Sequence, residues 1–237
     1  VYSMQIPAWQ YHEPSHPGAD FDAIAESYDK NMQTFRDVQG EIDEVLAYLD
    51  LKPEESVLEM GTGTGEFALA AARRCRQVYA VDLSEGMLRY AQKKARARGV
   101  ANVVFLQGGF LSYNHGGEPL DAVVSQLALH HLPDFWKQIA LLRLSGMLRK
   151  GGRLCLRDVV YSFDPSEYES FFEGLIGRES RNMKGSTGLS DSLINHVKNE
   201  YSTMDWIMRG MMERAGFHIE KADLNNGFIA LYLCKKV

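Results

Sequence analysis

Along most of the chain, short apolar runs alternate with longer stretches in which apolar residues recur every three or four positions. The runs read as strands buried on both faces and the stretches as amphipathic helices. The pattern predicts helices over Phe21–Lys30 and Val38–Leu49, a strand at Ser56–Glu59 that enters a glycine-rich loop, and an alanine-rich helix over Phe67–Arg74. It continues with a strand at Val78–Asp82, a helix over Glu85–Arg98 closed by Gly99, and a strand at Val103–Gln107. A buried strand at Asp121–Gln126, a helix over Phe135–Leu148 and a strand at Arg153–Val159, after a turn at Gly151-Gly152, complete this alternation. Strands separated by helices of about ten residues or more are βαβ crossovers, which build a parallel sheet covered on both faces. Ligands of such sheets sit beyond the carboxyl ends of the strands.

The two ends of the chain and one internal stretch depart from this rhythm. Residues 1–20, with Pro7, Pro14, Pro17 and Gly18, read as an irregular arm carrying Trp9 and Tyr11. From 161 to about 205 the helical pattern becomes polar and is interrupted by Gly, Ser and Asn, which suggests an inserted helical lid or substrate segment, or else a plain solvated connection. The last helix is expected to begin near Ser202, where Ser202-x-x-Asp205 has the spacing of a capping box, and to end at Gly216. Its Met204, Met208, Met211 and Met212 fall on one face, a stripe that suits core packing. Strands at His218–Leu224 and Phe228–Cys234 flank Asn225-Asn226-Gly227, a hairpin signal. The expected fold is therefore α/β and doubly wound. A mostly parallel, seven-stranded sheet ends in an antiparallel hairpin, all within one domain over 21–237.

Composition narrows the partners. A net charge of −5 leaves little basic surface for a nucleic acid, whose binding rests on clustered Lys and Arg. The run Arg89, Lys93, Lys94, Arg96, Arg98 lies along one predicted helix and reads as a solvated face. Cys75, Cys155 and Cys234 are widely spaced without a CxxC, so neither a disulfide framework nor a zinc site is expected, and a reducing cytoplasm fits. No apolar run reaches the roughly 18 residues of a membrane span, and the first residues lack the pattern of a signal peptide. Met4 is read as the natural start, with the three residues before it foreign to the protein.

The chemistry centres on VLEMGTGTGEF (57–67). A glycine-rich turn between strand and helix lets a ligand approach the backbone and the free N–H groups of the helix. A dinucleotide site needs G-x-G-x-x-G, but Gly61-x-Gly63-x-x is followed by Glu66. Glu59 would also set a negative charge beside a pyrophosphate. A cation suits these carboxylates, and S-adenosylmethionine carries a sulfonium and an ammonium with no phosphate. Asp82 stands at the end of the next strand, where a nucleotide-binding half-fold places an acceptor for ribose hydroxyls.

With these residues the chain resembles the class I S-adenosylmethionine-dependent methyltransferases, from about Phe21 to Lys235. The likeness is carried by FDAIAESYD (21–29), VLEMGTGTGEF, VYAVDLSEGML (78–88), LQGGF (106–110), SQLALHHLPD (125–134) and LRKGGRLCLRD (148–158). The first and fifth of these are most similar to the branch that methylates small molecules, such as precursors of ubiquinone and menaquinone. The resemblance implies that Glu59, Gly61, Thr62 and Gly63 surround the methionine portion of the cofactor, Asp82 holds the ribose, and Leu83 and Met87 flank the adenine. It implies further that Gln126 and Leu127 meet the methionine end and that Tyr28 closes over it. The family usually has an acidic residue where Gly109 stands, which leaves Phe110 and backbone groups to read the base. S-adenosylhomocysteine would be the product.

Methyl transfer needs a base only where the acceptor must lose a proton. His131, His130 and Asp158 are the candidates, because the histidines follow the fourth strand and the aspartate ends the fifth. Adjacent histidines point in different directions, so one, preferably His131, should face the cleft while the other caps the helix starting near Pro133. Phe171, Phe172 and Trp206, with Trp9 and Tyr11, either line an apolar acceptor pocket or belong to the core. The acceptor is expected to be a small, apolar or aromatic molecule methylated at oxygen or carbon. A tRNA or protein methyltransferase and a non-catalytic cofactor-binding protein stand as alternatives.

Overall fold

The computed structural model describes residues 7–15, 20–182 and 187–237, without side chains at 15, 35 and 178–192. Met4 therefore lies outside the described residues. Beyond the arm, whose described residues include a 3-10 turn at Glu13–Ser15, the chain forms α1 (Phe21–Phe35) and α2 (Val38–Leu49). Both helices start on an aspartate: Asp20 accepts from Ala23 N–H at 3.1 Å and Asp37 from Gly40 N–H at 3.0 Å. There follow β1 (Ser56–Met60), α3 (Glu66–Ala71), β2 (Gln77–Asp82), α4 (Glu85–Ala97), β3 (Val103–Gln107), β4 (Leu120–Gln126), α5 (Asp134–Met147) and β5 (Leu148–Tyr161). The inserted stretch forms α6 (Tyr168–Asn182) and α7 (Thr187–Asn199), then β6 (Thr203–Met204). The chain closes with α8 (Asp205–Arg214), β7 (Phe217–Asn225) and β8 (Ile229–Lys236).

The strands run in the order β3-β2-β1-β4-β5-β8-β7, and the two-residue β6 is an eighth strand pairing the far end of β5. β1 through β5 are parallel, whereas β8 runs antiparallel to both β5 and β7. The hairpin turn is the one its sequence predicts: Asn226 and Gly227 have φ of 54° and 71°, as a type I′ turn requires. Successive strand residues serve opposite faces. Val57, Leu231 and Leu233 join α2 and α3 in one core, whereas Leu58, Ala230 and Tyr232 join α5 and α8 in the other. The methionine stripe belongs to that second core through Met208, Met211 and Met212.

Two local expectations fail for identifiable reasons. Gly151-Gly152 is not a turn before a strand but lies inside β5, which starts at Leu148. Gly151 adopts φ 72°, and the register against β4 shifts between Leu120 and Ala122, so the glycines accommodate a bulge. Ser202 does not cap the last helix either. That helix starts at Asp205 with no side-chain cap on Met204, and the Ser202 hydroxyl bonds instead to His196 Nε2 at 2.8 Å.

Candidate functional site

The carboxyl ends of β1, β2 and β4 open into a cleft of about 450 Å³. Its floor is the glycine loop, folded back so that the N–H groups of Gly61 and Thr62 both reach the carbonyl of Val81 at 2.9 Å. Gly61 has φ 75°, and a Cβ there would lie 2.5 Å from the Cβ of Ala128, so both backbone angle and close approach demand glycine. At Gly63 the same test meets open space, because this residue faces the cleft. Opposite stands Leu127, a non-glycine residue at φ 53°, held by its N–H to the carbonyl of Arg157 at 2.8 Å. Such strained residues gather where a site fixes its backbone.

Of the residues the sequence nominates for the cofactor, Tyr28, Gly61, Gly63, Asp82, Leu83, Met87, Gly109, Phe110, Gln126 and Leu127 all line this cleft. Glu59 and Thr62 line a smaller adjoining cavity that shares Tyr28, Gly61, Gly63 and Gln126 with the cleft. Glu59 is buried, accepts from the Thr62 hydroxyl at 2.5 Å, and has its carboxyl pushed up to about 8 by burial. A buried carboxylate of this kind ionises most readily when a cation is brought beside it. Asp82 accepts from Gly63 N–H at 2.7 Å and Ser84 N–H at 2.9 Å, which fixes the loop to the end of β2. Glu66 has a different role from the one its position suggests. It pairs with Lys94 of α4 at 2.5 Å and with Arg98 just after it at 2.9 Å, so its charge is spent within the fold and that basic run is partly paired.

The position of Gly109 reveals a residue that motif reading misses. A Cβ at Gly109 would lie 2.5 Å from the carboxylate of Glu13, which reaches in from the arm, accepts from Leu111 N–H at 3.0 Å and lines the cleft. Burial pushes the Glu13 carboxyl up, against the lowering pull of the Leu111 and Phe110 N–H groups. An acidic group thus stands beside Phe110 after all, delivered from 96 positions earlier and needing glycine at 109 to fit. The roof is α1. Asp22 accepts from the Ser84 hydroxyl at 2.8 Å and from Gly86 N–H, tying α1 to the start of α4 and setting Phe21 and Tyr28 over the cleft.

At the other end the two histidines separate. His131 lines the cleft, its ring edge-on to Phe21 at 5.9 Å. His130 is buried behind it, bonded through Nδ1 to Asp158 at 2.5 Å and through Nε2 to Glu200 at 3.0 Å. Burial alone would lower the His130 pKa, but the Asp158 and Glu200 carboxylates outweigh it and push it up to about 9. His130 therefore does not cap α5, whose start at Pro133 has no side-chain cap. Glu200 also accepts from His196 Nδ1. Despite its own burial, the two histidines hold the Glu200 carboxyl well below the usual carboxylate range. Two backbone and side-chain ties close the segment over this cluster: Tyr201 N–H to the carbonyl of His130 at 2.9 Å, and Thr203 Oγ1 to Asp134 at 3.0 Å.

The aromatic residues offered for an acceptor pocket sit elsewhere. Phe171 and Phe172 pack with Tyr161 and Phe163, and Trp206 and Trp9 are exposed, Trp9 stacked on Trp136. None of these, nor Tyr11, is among the residues lining the cleft.

Residues 57–152 match the family model of a methyltransferase domain. An uncharacterized methyltransferase of Geobacillus kaustophilus (strain HTA426) is 31% identical over 209 residues, covering 86% of this chain and 90% of that protein. The chain belongs to the class I S-adenosylmethionine-dependent methyltransferases. Another relative of this methyltransferase, from Bacillus mycoides (strain KBAB4), is 29% identical over 210 residues, or 87% of this chain and 92% of its own. Among solved structures, the YcgJ protein of a Bacillus superposes with a TM-score of 0.65 at 19% identity, covering 84% of this chain and 98% of its own. Magnesium protoporphyrin IX methyltransferase from Synechocystis PCC 6803, solved with bound SAH, superposes with a TM-score of 0.62 at 19% identity, covering 84% and 83%. S-adenosylmethionine is the cofactor of this methyltransferase. No described helix is long and apolar enough to cross a membrane.

Proposed function

We propose that this methyltransferase transfers the methyl group to an oxygen or carbon of a small, apolar or aromatic acceptor. The observation that carries this reading is the roof: the arm and α1 lean over the cleft of about 450 Å³ that takes the cofactor, and Phe21, Leu132 and His131 close its far end. A nucleic acid would need an open, basic approach, and a protein surface an open one. The described rim does not favour one, since Lys94 and Arg98 of the basic helix are paired with Asp29 and Glu66.

The residues fit the cofactor. Gly63 leaves its approach open, Glu59 is a carboxylate that a cation would ionise, and Asp82 and Glu13 are acceptors toward the nucleoside end. When bound, S-adenosylmethionine supplies an activated methyl group on a sulfonium. The protein's own share is alignment and the exclusion of water, by Tyr28 and Phe21 above and Leu127 and Met87 at the walls. Where the acceptor must lose a proton, His131 is the imidazole placed to take it. His130, kept as an imidazolium between Asp158 and Glu200, orients the turn that carries His131.

Purified protein incubated with methyl-labelled S-adenosylmethionine should label small quinols or phenols from a panel and not tRNA or bulk protein. Transfer to tRNA or protein alone would overturn the small-molecule reading. Absence of any thermal shift with millimolar cofactor would contradict the cofactor site itself.

A further inference from the structure

We propose that His130, His131 and Glu200 form a binding site for a divalent transition-metal ion at the acceptor end of the cleft. One ligand atom from each lies within 4.8 Å of the others. His130 Nε2 and Glu200 Oε2 stand 3.0 Å apart, roughly the spacing of two ligands held about 2 Å from a common ion. In the metal-free cluster a shared proton joins these two atoms, and the ion would replace it.

The surroundings supply what a ligand set needs from its neighbours. Metal-binding imidazoles donate their second N–H to a carboxylate, and His130 does so to Asp158 at 2.5 Å. Metal-binding carboxylates are themselves held, and Glu200 accepts from His196, which is anchored on Ser202 at 2.8 Å. Asp158 is fully buried, and its second oxygen has no hydrogen-bond partner among the described groups. A buried and a partly buried carboxylate in one cluster thus carry negative charge that a divalent ion would neutralise. His131 faces the cleft, so three protein ligands would lie on one side with coordination positions open toward the acceptor. Two imidazoles and one carboxylate suit zinc, cobalt or iron rather than magnesium or calcium. The sequence hides such a site because Glu200 follows His131 by 69 positions, with most of the insertion between them.

The role of the ion rests on the methyl-transfer reading above. It would select acceptors with an oxygen donor, holding that atom beside the methyl position and lowering its pKa, so that with the ion bound His131 serves as a ligand and the acceptor ionises without it as a base. Binding itself does not rest on that reading, and the test separates the two. Chelator-treated protein is titrated with Zn²⁺ by calorimetry and with Co²⁺ by visible absorption. One equivalent should bind, about 100-fold or more tighter than in Glu200→Gln or His131→Asn, with Asp158→Asn losing about 10- to 100-fold. His218→Asn, at an exposed histidine on β7, should bind as the parent does. Circular dichroism and the S-adenosylmethionine thermal shift are recorded on the same samples. If Glu200→Gln loses its fold, His131→Asn on the cleft wall decides. No saturable uptake, or uptake unchanged in both ligand variants, overturns the site while a normal cofactor shift leaves the methyltransferase reading standing. Uptake with no cofactor shift does the reverse.

Discussion

At the cofactor end of the cleft, the glycine loop is tied to the end of the neighbouring strand, as when Gly63 N–H meets Asp82 across 19 positions, and the arm and α1 close over it through Glu13 and Asp22. At the acceptor end, Asp158 from β5 meets His130 from the turn after the neighbouring β4, and Glu200 from beyond α7 joins them only because the insertion folds back. The first end is shaped by backbone angles and strand ends. The second is held by buried charges. Disturbances should therefore act through geometry at one end and through electrostatics at the other.

The largest effect is expected where a buried charge loses its partner. Asp158→Ala leaves His130 with one carboxylate and a void beside β8, and should cost about 3–5 kcal/mol in urea unfolding. The matching break at the cofactor end is Gly61→Val, which forces a β-branched residue to φ 75° against the Cβ of Ala128. A loss of roughly 2–4 kcal/mol is expected, together with the cofactor-induced thermal shift. If Asp158→Ala proved the milder of the two, the insertion would not depend on this charge cluster.

The same contrast explains what the sequence makes legible. Val38–Leu49 and Val103–Gln107 are found where the periodicity predicts them, because apolar spacing and caps are local signals. The glycine loop is equally plain, since its conformation is written in three glycines and the strand before them. Glu13 and Glu200 carry no such mark. Each is an ordinary acidic residue in a polar stretch, and only folding brings one to Gly109 and the other to His130. Ser202 misleads for the same reason: its spacing to Asp205 is right for a cap, but His196 offers its hydroxyl another partner. Local chemistry predicts local structure, and the contacts of Glu13 and Glu200 are not local.

Titration gives a third, smaller test. His130 is raised to about 9, so its stabilising charge is fully present below the unfolded value near 6.5 and is lost as pH rises through 9. Glu59, raised to about 8 by burial, also disfavours the folded state as it ionises, between about 4.5 and 8. Stability should fall on the alkaline side, by a few kcal/mol between about pH 6.5 and 9.5, with His130 giving the larger part. Glu200→Gln should flatten the limb near pH 9, while bound S-adenosylmethionine should flatten the part due to Glu59. Urea midpoints measured across this range separate the two ends of the cleft in one experiment.

Glu13 tests whether the cofactor end is as self-contained as its loop suggests. Glu13→Gln keeps an acceptor for Leu111 N–H but removes the negative charge beside Phe110. S-adenosylmethionine should bind about 10-fold more weakly, on the order of 1–2 kcal/mol, with little change in urea stability. Unchanged affinity would mean that the arm merely packs there and that backbone groups alone read the base.

The smallest expected effect concerns Trp206. Its side chain is 67% exposed at the start of α8, outside the residues that line the cleft. Its neighbour Asp205 makes the structural contacts instead, accepting from Tyr232 at 2.7 Å and Arg209 at 2.8 Å. Trp206→Ser should change stability by less than about 0.5 kcal/mol, as a surface substitution away from special contacts does. Methyl transfer should be unaltered for an acceptor that enters under α1 beside Phe21 and His131. A selective rise in KM for an aromatic acceptor, with cofactor affinity intact, would instead show that the acceptor reaches the cleft past α8, extending the acceptor end beyond the His130 cluster.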